Sequence, residues 1–326
     1  GIWSWIADDN RRALVDFFGR RLKPGGVLYI SYNTQPGWAA FAPIRHLMAE
    51  HARLAGAVGS GMGSRAQNAL DFAERMLKTS PAFLRANPAV AERVEKLRGK
   101  DPRYLAHEYF NRHWDPMPFS TVVDWLAPAR LEYACSARFQ DHIDALHLTR
   151  EQQQILAELP SPVLRESVRD FMVNQQFRRD YWVRGARRLS ALEQAEALRA
   201  ERVVLAAHRP DIDLKVKGAL GEASMNTAVY APLLDCLTDH EPRTLADIEQ
   251  ALSGSGVTFS QLVQAVVVLS GTGHLHPAQD DETIKAAIGR TRALNSHLLD
   301  RARGNDDITW LASPVTESSL FTRRRC

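Results

Sequence analysis

The tightest constraint on this chain is a three-part run near its start. Residues 8–22 (DDNRRALVDFFGRRL) are followed by KPGG at 23–26 and by VLYISY at 27–32. Leu14, Phe17, Phe18 and Leu22 recur at helical spacing, and Asp8 or Asp9 is placed to cap that helix. KPGG is a turn signal. The apolar, β-rich run after it reads as a mostly buried strand. Helix, Gly-rich turn and buried strand make half of a βαβ repeat, an α/β arrangement. Half a repeat cannot cover both faces of a sheet. The expectation is that at least about three or four parallel strands precede Gly1 in a longer protein, of which this chain, lacking an initial Met, is a piece.

NTQPGW at 33–38 follows the strand. In open α/β sheets ligands sit beyond the carboxyl ends of strands. Tyr32, Asn33 and Trp38 are therefore placed to line a pocket. The alternative is an ordinary Pro36-Gly37 turn with Trp38 as a core anchor.

Composition excludes several classes. Across 326 residues the three cysteines are far apart, with no CxxC pair. This argues against a disulfide framework or structural zinc and fits a reducing, cytoplasmic setting. No apolar stretch is long enough to span a membrane. The net charge of +3, from 41 basic and 38 acidic residues, is too balanced to imply nucleic acid. Arg323, Arg324 and Arg325 read as a frayed end.

Residues 41–100 carry helical periodicity and read as an all-helical insertion. The GxG strings at 59–63 and 254–256 follow no strand, and neither is assigned to a cofactor. Residues 101–120, DPRYLAHEYFNRHWDPMPFS, concentrate aromatics, His and acids. His107, Glu108 and His113 lack HExxH spacing, so no metal site is assigned. The stretch either lines a polar-aromatic cleft or holds ordinary hydrogen-bonded histidines.

Four segments together resemble a known family: GIWSWI with LKPGGVLYISYNTQPGW, HEYFN at 107–111, LEYACSA at 131–137, and 171–185 (FMVNQQFRRDYWVRG). The resemblance is to class I S-adenosylmethionine-dependent methyltransferases that carry a methyltransferase regulatory domain, nearest to the protein-lysine methyltransferase branch. It implies S-adenosyl-L-methionine as cofactor of the parent protein, a protein substrate, and a cofactor-binding glycine motif upstream of Gly1. For such a reaction, placement at a strand end and in an aromatic-polar cleft makes Tyr32, Asn33 and Glu108 the catalytic candidates. Trp38, His107, Tyr109 and Asn111 are the substrate-binding candidates, and by the resemblance Trp3 and Trp5 lie beside the cofactor. The piece alone is expected to be inactive and to bind the cofactor weakly or not at all.

The fold expectation is α/β: a partial class I methyltransferase sheet with a helical insertion, then a mostly helical C-terminal region. Residues 1–45 are read as a remnant of the core and 46–104 as the helical insertion, which the resemblance labels regulatory. Residues 105–145 close the core and 146–225 link onward. In 171–185, aromatics and arginines could stack on nucleic acid; the reading preferred here is a helix and strand on a solvated face. The type of 197–206 stays open between helix and strand. From 226 to 326, three helices and a strand suggest a winged-helix-like module. Its third helix has no Lys or Arg between Thr258 and Gly273, which disfavours DNA, because phosphate contacts carry much of non-specific affinity. The competing function is a non-catalytic protein-interaction module; a winged-helix DNA-binding regulator ranks below both.

Overall fold

The computed structural model describes residues 2–56, 59, 61–304, 308, 310–316 and 319–321. The arginine cluster at 323–325 and part of the first GxG string lie outside them. The chain divides into two compact units. One comprises Gly1–Ala137 and Leu148–Arg187, the other Arg138–His147 and Arg188–Cys326. The 146–225 stretch is thus shared between them.

The first unit opens with a 3-10 turn, Trp3–Trp5, and α1 (Asp8–Arg21). The residue at the cap is Ala7, without a side-chain bond. Asp8 and Asp9, expected as caps, instead occupy the first turn, where the helix dipole favours acids, and pair with Arg11 and Arg12. After β1 (Val27–Asn33) come α2 (Ala42–Leu54), α3 (Met62–Leu77), α4 (Ala82–Ala86), α5 (Ala89–Glu95) and α6 (Pro102–Tyr109). α3 buries Ala66, Ala69, Leu70, Ala73 and Leu77, one stripe at helical spacing. Asp101 caps α6 by accepting from the backbone N–H groups of Arg103 and Tyr104, with Pro102 at the first turn. These helices enclose their own core, which includes Trp38, Phe41, Leu70, Val94 and Tyr109.

α7 (Phe119–Leu126), β2 (Leu131–Ser136), α8 (Arg150–Glu158), α9 (Pro162–Met172) and β3 (Phe177–Arg184) complete this unit. Thr149 and Gln152 form the expected capping box on α8. The sheet order is β1-β3-β2, and β3 is antiparallel to both neighbours. β1 and β2 therefore run in the same direction, with an antiparallel strand between them. β3 was expected on a solvated face and is instead the central strand of the sheet. Side chains alternate across a strand. Arg178, Asp180 and Trp182 point to the covered face and are buried, while Arg179 and Tyr181 point away and are exposed. The covered face packs Ile30, Tyr32 and Trp182 against Phe119, Val122 and Leu126. On the other face Tyr29 and Tyr181 pair with ring centroids 5.8 Å apart and remain exposed beside Val27.

The second unit begins with α10 (Ala191–Ala200) and β4 (Arg202–Leu205), so 197–206 is helix and then strand. A hairpin of β5 (Lys215–Gly218) and β6 (Gly221–Ser224) precedes α11 (Thr227–Asp235), β7 (Arg243–Thr244), α12 (Leu245–Ala251), α13 (Phe259–Gly271) and β8 (Leu275–Pro277). Thr244 and Asp247 form the expected capping box. β4 lies between β7 and β8, antiparallel to each. Leu233, Leu237, Ile248, Ala265 and Leu269 fill the core. α14 (Asp281–Ala302) buries none of its residues, and a short pair, β9 (Trp310–Ala312) and β10 (Ser319–Phe321), follows. Among the described residues no helix is long and apolar enough to cross a membrane.

Candidate functional site

The carboxyl end of β1 gathers the residues of interest. Ser4, in the opening 3-10 turn, is buried; its Oγ accepts from the Asn33 backbone N–H at 2.8 Å. Its carbonyl accepts from the Asp115 N–H, and the Asn33 carbonyl accepts from the Met117 N–H. Thr34 Oγ1 donates to the Met117 carbonyl at 2.6 Å. The 3-10 turn, the strand end and the segment after α6 are thus stitched together by short polar bonds. Gly37 is required here by close approach. A Cβ on it would lie 2.4 Å from the Gln175 carbonyl oxygen, and its N–H donates to that same oxygen.

Three of the candidates converge on this end. The Asn33 side chain is buried, and its Nδ2 makes no hydrogen bond of ordinary length and angle among the described residues. It nevertheless lies close enough to Glu108 of α6 to hold that carboxyl down. Burial outweighs this and pushes the Glu108 carboxyl above the usual range, with Asn33 and His107 opposing. Trp5 lies against His107, with ring centroids 5.6 Å apart, and its Nε1 is likewise buried without a partner. The Asn33 amide therefore adjoins a carboxyl of raised proton affinity, and a second buried donor without a partner among the described residues, Trp5 Nε1, lies by the ring of the neighbouring His107. Unpaired buried donors are costly, and they mark a place where an acceptor is missing.

The other candidates lie elsewhere. Tyr32, one residue before Asn33, points to the opposite face of the strand. It is fully buried and donates its hydroxyl proton to Asp180 Oδ2 at 2.8 Å. Burial, then the Asp180 charge, push that hydroxyl well above its ordinary pKa. Tyr32 is thus built into the sheet core and is not brought to Glu108. Trp3 is also buried, edge-on to Trp125, and its carbonyl accepts from Arg11 Nε. Trp38 and Tyr109 belong to the helical core, with ring centroids 6.0 Å apart. Arg93 lies 3.8 Å above the Trp38 ring. Burial first, then neighbouring Tyr104, raise the Tyr109 hydroxyl to about 12. Asn111 offers its carbonyl to Arg45 Nη2 at 2.5 Å. Trp38, Tyr109 and Asn111 are therefore packing and anchoring positions around Arg93 and Arg45.

Sequence reasoning missed the polar centre beneath the sheet. Arg178 spends Nε on Asp180, Nη1 on Asp170 and Nη2 on Glu166, at 2.9, 2.7 and 2.9 Å. Its guanidinium lies 4.2 Å from the Phe119 ring. Tyr133 donates to Glu166, as Tyr32 does to Asp180. Burial pushes the Asp170 carboxyl up to about 7, against the pull of Arg178. The i, i+2, i+4 spacing of Arg178, Asp180 and Trp182 was the available signal. Among the described residues no group of three His, Cys, Asp or Glu side chains could hold a metal.

Comparison with known proteins gives this geometry a setting. Residues 101–184 match the family model described as "Predicted methyltransferase regulatory domain". That match begins where the 46–104 helices, which the resemblance put under the regulatory label, end; it covers β2 and β3. An uncharacterized protein of Synechocystis, sll1526, is 37% identical over 324 residues, covering 99% of this chain and 63% of the relative. RP789, an uncharacterized protein of Rickettsia prowazekii, is 24% identical over 181 residues, covering 55% of this chain and 32% of the relative. The chain also shares its fold with PKMT2 from Rickettsia typhi. The TM-score is 0.62, and 0.65 for PKMT2 in complex with AdoHcy, at 16% and 18% identity. Each superposition covers 99% of this chain and 66% of PKMT2. The chain therefore shares the fold of PKMT2, and it spans about two thirds of the length of PKMT2 and 63% of that of sll1526.

Proposed function

We propose that this chain is the C-terminal portion of an S-adenosylmethionine-dependent methyltransferase, and that the end of β1 supplies part of its active site. The observation that carries this is the set of buried donors at this strand end, Asn33 Nδ2 beside Glu108 and Trp5 Nε1 beside His107, neither with a well-formed hydrogen bond among the described residues. They fit a ligand rich in acceptor atoms, as an adenosine bearing an amino-acid tail is. Asn33 and Trp5 would hold it, with His107 buttressing the indole. Bound there, S-adenosylmethionine would supply an activated methyl group on a sulfonium. Glu108 Oε, its proton affinity raised by burial, accepts a proton from the acceptor group, and an amine must shed one to become nucleophilic. Tyr32 acts from beneath, fixing the strand through Asp180. A protein lysine as acceptor rests on resemblance to one branch of the family and on the likeness to PKMT2.

A second observation favours a partner-binding role for the other unit. α14 buries nothing and exposes Ile288, Leu294 and Leu299. The helices α11–α13 with β7, β4 and β8 read as winged-helix-like. α13 bears no basic residue, so the partner is a protein rather than DNA. This reading is compatible with an enzymatic parent.

Methyl transfer by the full-length protein tests the first reading. Glu108→Gln and Asn33→Ala are each expected to slow it by about 10²-fold; unchanged rates in both would sink it. Calorimetry separates the readings further. S-adenosylmethionine is expected to bind the full-length protein and to bind this chain weakly or not at all.

A further inference from the structure

A cleft of about 690 Å³ opens between α1 and α7, toward the end of the sheet opposite Asn33. Its walls are Val15, Asp16, Gly19 and Arg20 of α1 on one side and Thr121, Asp124 and Trp125 of α7 on the other, with Arg130 and Arg184 closing one end. A cleft of this size suits a small molecule.

Two arginines here lack carboxylate partners. Arg184 is anchored, since its Nη1 donates to the Leu22 carbonyl and its backbone bonds the turn at Gly25 and Gly26. That bond is to a neutral acceptor, so its charge stays uncompensated. Arg130 is exposed, and its side chain makes no hydrogen bond or ion pair among the described residues. It also holds a left-handed backbone, φ 55°, where glycine or asparagine would be at ease. A strained, unpartnered arginine at a cleft mouth is a feature that a fold alone does not require. Leu131 pairs with Arg184 in the sheet, so Arg130, the residue immediately before β2, comes next to the register position of Arg184.

The opposite wall differs. Arg12 is paired with Asp9, and Arg20 with Asp16. Asp124 is exposed and unpaired among the described residues, next to Trp125, which is half-buried. Trp125 is supported from behind by Trp3, edge-on at 6.1 Å, and Arg12 stands 5.9 Å from its centroid. The cleft thus offers an aromatic surface, a free carboxylate and two uncompensated guanidiniums.

We propose that this cleft is a nucleotide-binding site, separate from the Asn33–Glu108 end of the sheet. The base stacks on Trp125, the ribose hydroxyls donate to Asp124, and the phosphate is taken by Arg130 and Arg184. Each pairing follows from ordinary chemistry. Planar bases stack on indoles, carboxylates accept from diols, and guanidiniums bind phosphate in a fork. Thr121, Asp124, Trp125, Arg130 and Arg184 all fall within the segment matching the regulatory-domain model.

The test is titration calorimetry of the full chain with AMP, adenosine and inorganic phosphate, on wild type, Arg130→Gly and Asp124→Asn. AMP is expected to bind with Kd on the order of 100 μM, and adenosine and phosphate about tenfold or more weaker. Arg130→Gly relieves the strained φ, so its melting temperature should hold or rise while AMP binding falls about tenfold. Asp124→Asn, on the surface, should weaken AMP but leave phosphate unchanged. Absence of AMP binding at millimolar concentration, phosphate binding as tightly as AMP, or unchanged AMP affinity in Arg130→Gly would each overturn the assignment.

Discussion

The two buried polar clusters in the first unit differ in one respect. Around Arg178, three guanidinium nitrogens each meet a carboxylate, and two tyrosines donate into the same acids. At the end of β1, Asn33 Nδ2 and Trp5 Nε1 are buried and make no well-formed hydrogen bond among the described residues, although Asn33 stands beside Glu108. They are separated by the thickness of one strand, since Tyr32 points into the first cluster and Asn33 into the second. A nearly saturated network, tied by three ion pairs and open at Asp170 Oδ2 and the adjoining Trp182 Nε1, holds a fold together; one with donors left open at a strand end suits something the chain does not itself supply.

That contrast is open to attack, and the largest effect should come from its saturated side. Arg178→Met leaves two buried acids, Asp170 and Asp180, and the half-buried Glu166 without their counter-charge. It should cost about 3–5 kcal/mol in urea unfolding; a cost under about 1 kcal/mol would show that the network is not structural.

The next expected effect is on pH dependence. The Asp170 carboxyl is raised by burial to about 7, and Asp180 is raised as well. Between the usual carboxylate range and that value, the folded state holds a proton that the unfolded chain has released. Folding stability should therefore be greatest at the acidic end of this window and fall as pH rises toward neutrality. Each such group contributes a slope of at most about 1.4 kcal/mol per pH unit. Asp170→Asn should flatten the profile, and an unchanged profile in that variant would move the proton to another group.

Gly37→Ala sharpens the other side. The added methyl meets the Gln175 carbonyl oxygen and Gln176 Cγ, each at 2.4 Å. The loop that follows Asn33 must shift, at about 1–3 kcal/mol by thermal melting. Asn33→Ala is the smallest expected change. Its amide donor has only its contact with the Glu108 carboxyl to lose, so stability should move by less than about 1 kcal/mol in the same assay. A loss of several kcal/mol would mean that Asn33 belongs with the saturated cluster.

Much of the architecture was legible in the sequence. Local signals gave α1, the KPGG turn and β1, the capping boxes at Thr149 and Thr244, and the three helices from α11 to α13. Each is decided within a few residues by spacing and cap chemistry. What was not legible depends on distant pairing. The segment FRRDYWVR shows aromatics and charges in alternation, which a solvated strand would show equally well. Only its position between β1 and β2 turns Arg178 and Asp180 inward. The site was partly legible for the same reason. Asn33, His107 and Glu108 could be nominated from a strand end and a polar-aromatic stretch, and Trp5 only from the family resemblance. Whether Tyr32 or Asn33 faces the opening is a matter of strand parity relative to the covered face, and the sequence did not reveal which face that was.

The central place of β3 has a consequence for how the chain is made. Tyr32 and its partner Asp180 are 148 positions apart. At usual synthesis rates, β1 therefore leaves the ribosome roughly ten seconds or more before the strand it pairs with exists. The helices between 42 and 109 can gather around their own core during that wait, while β1 has no neighbour within this chain. A molecule cut between 137 and 176 would leave β1 and β2 as two like-directed strands with nothing between them. Such a fragment should be more prone to aggregate than one cut after Arg184.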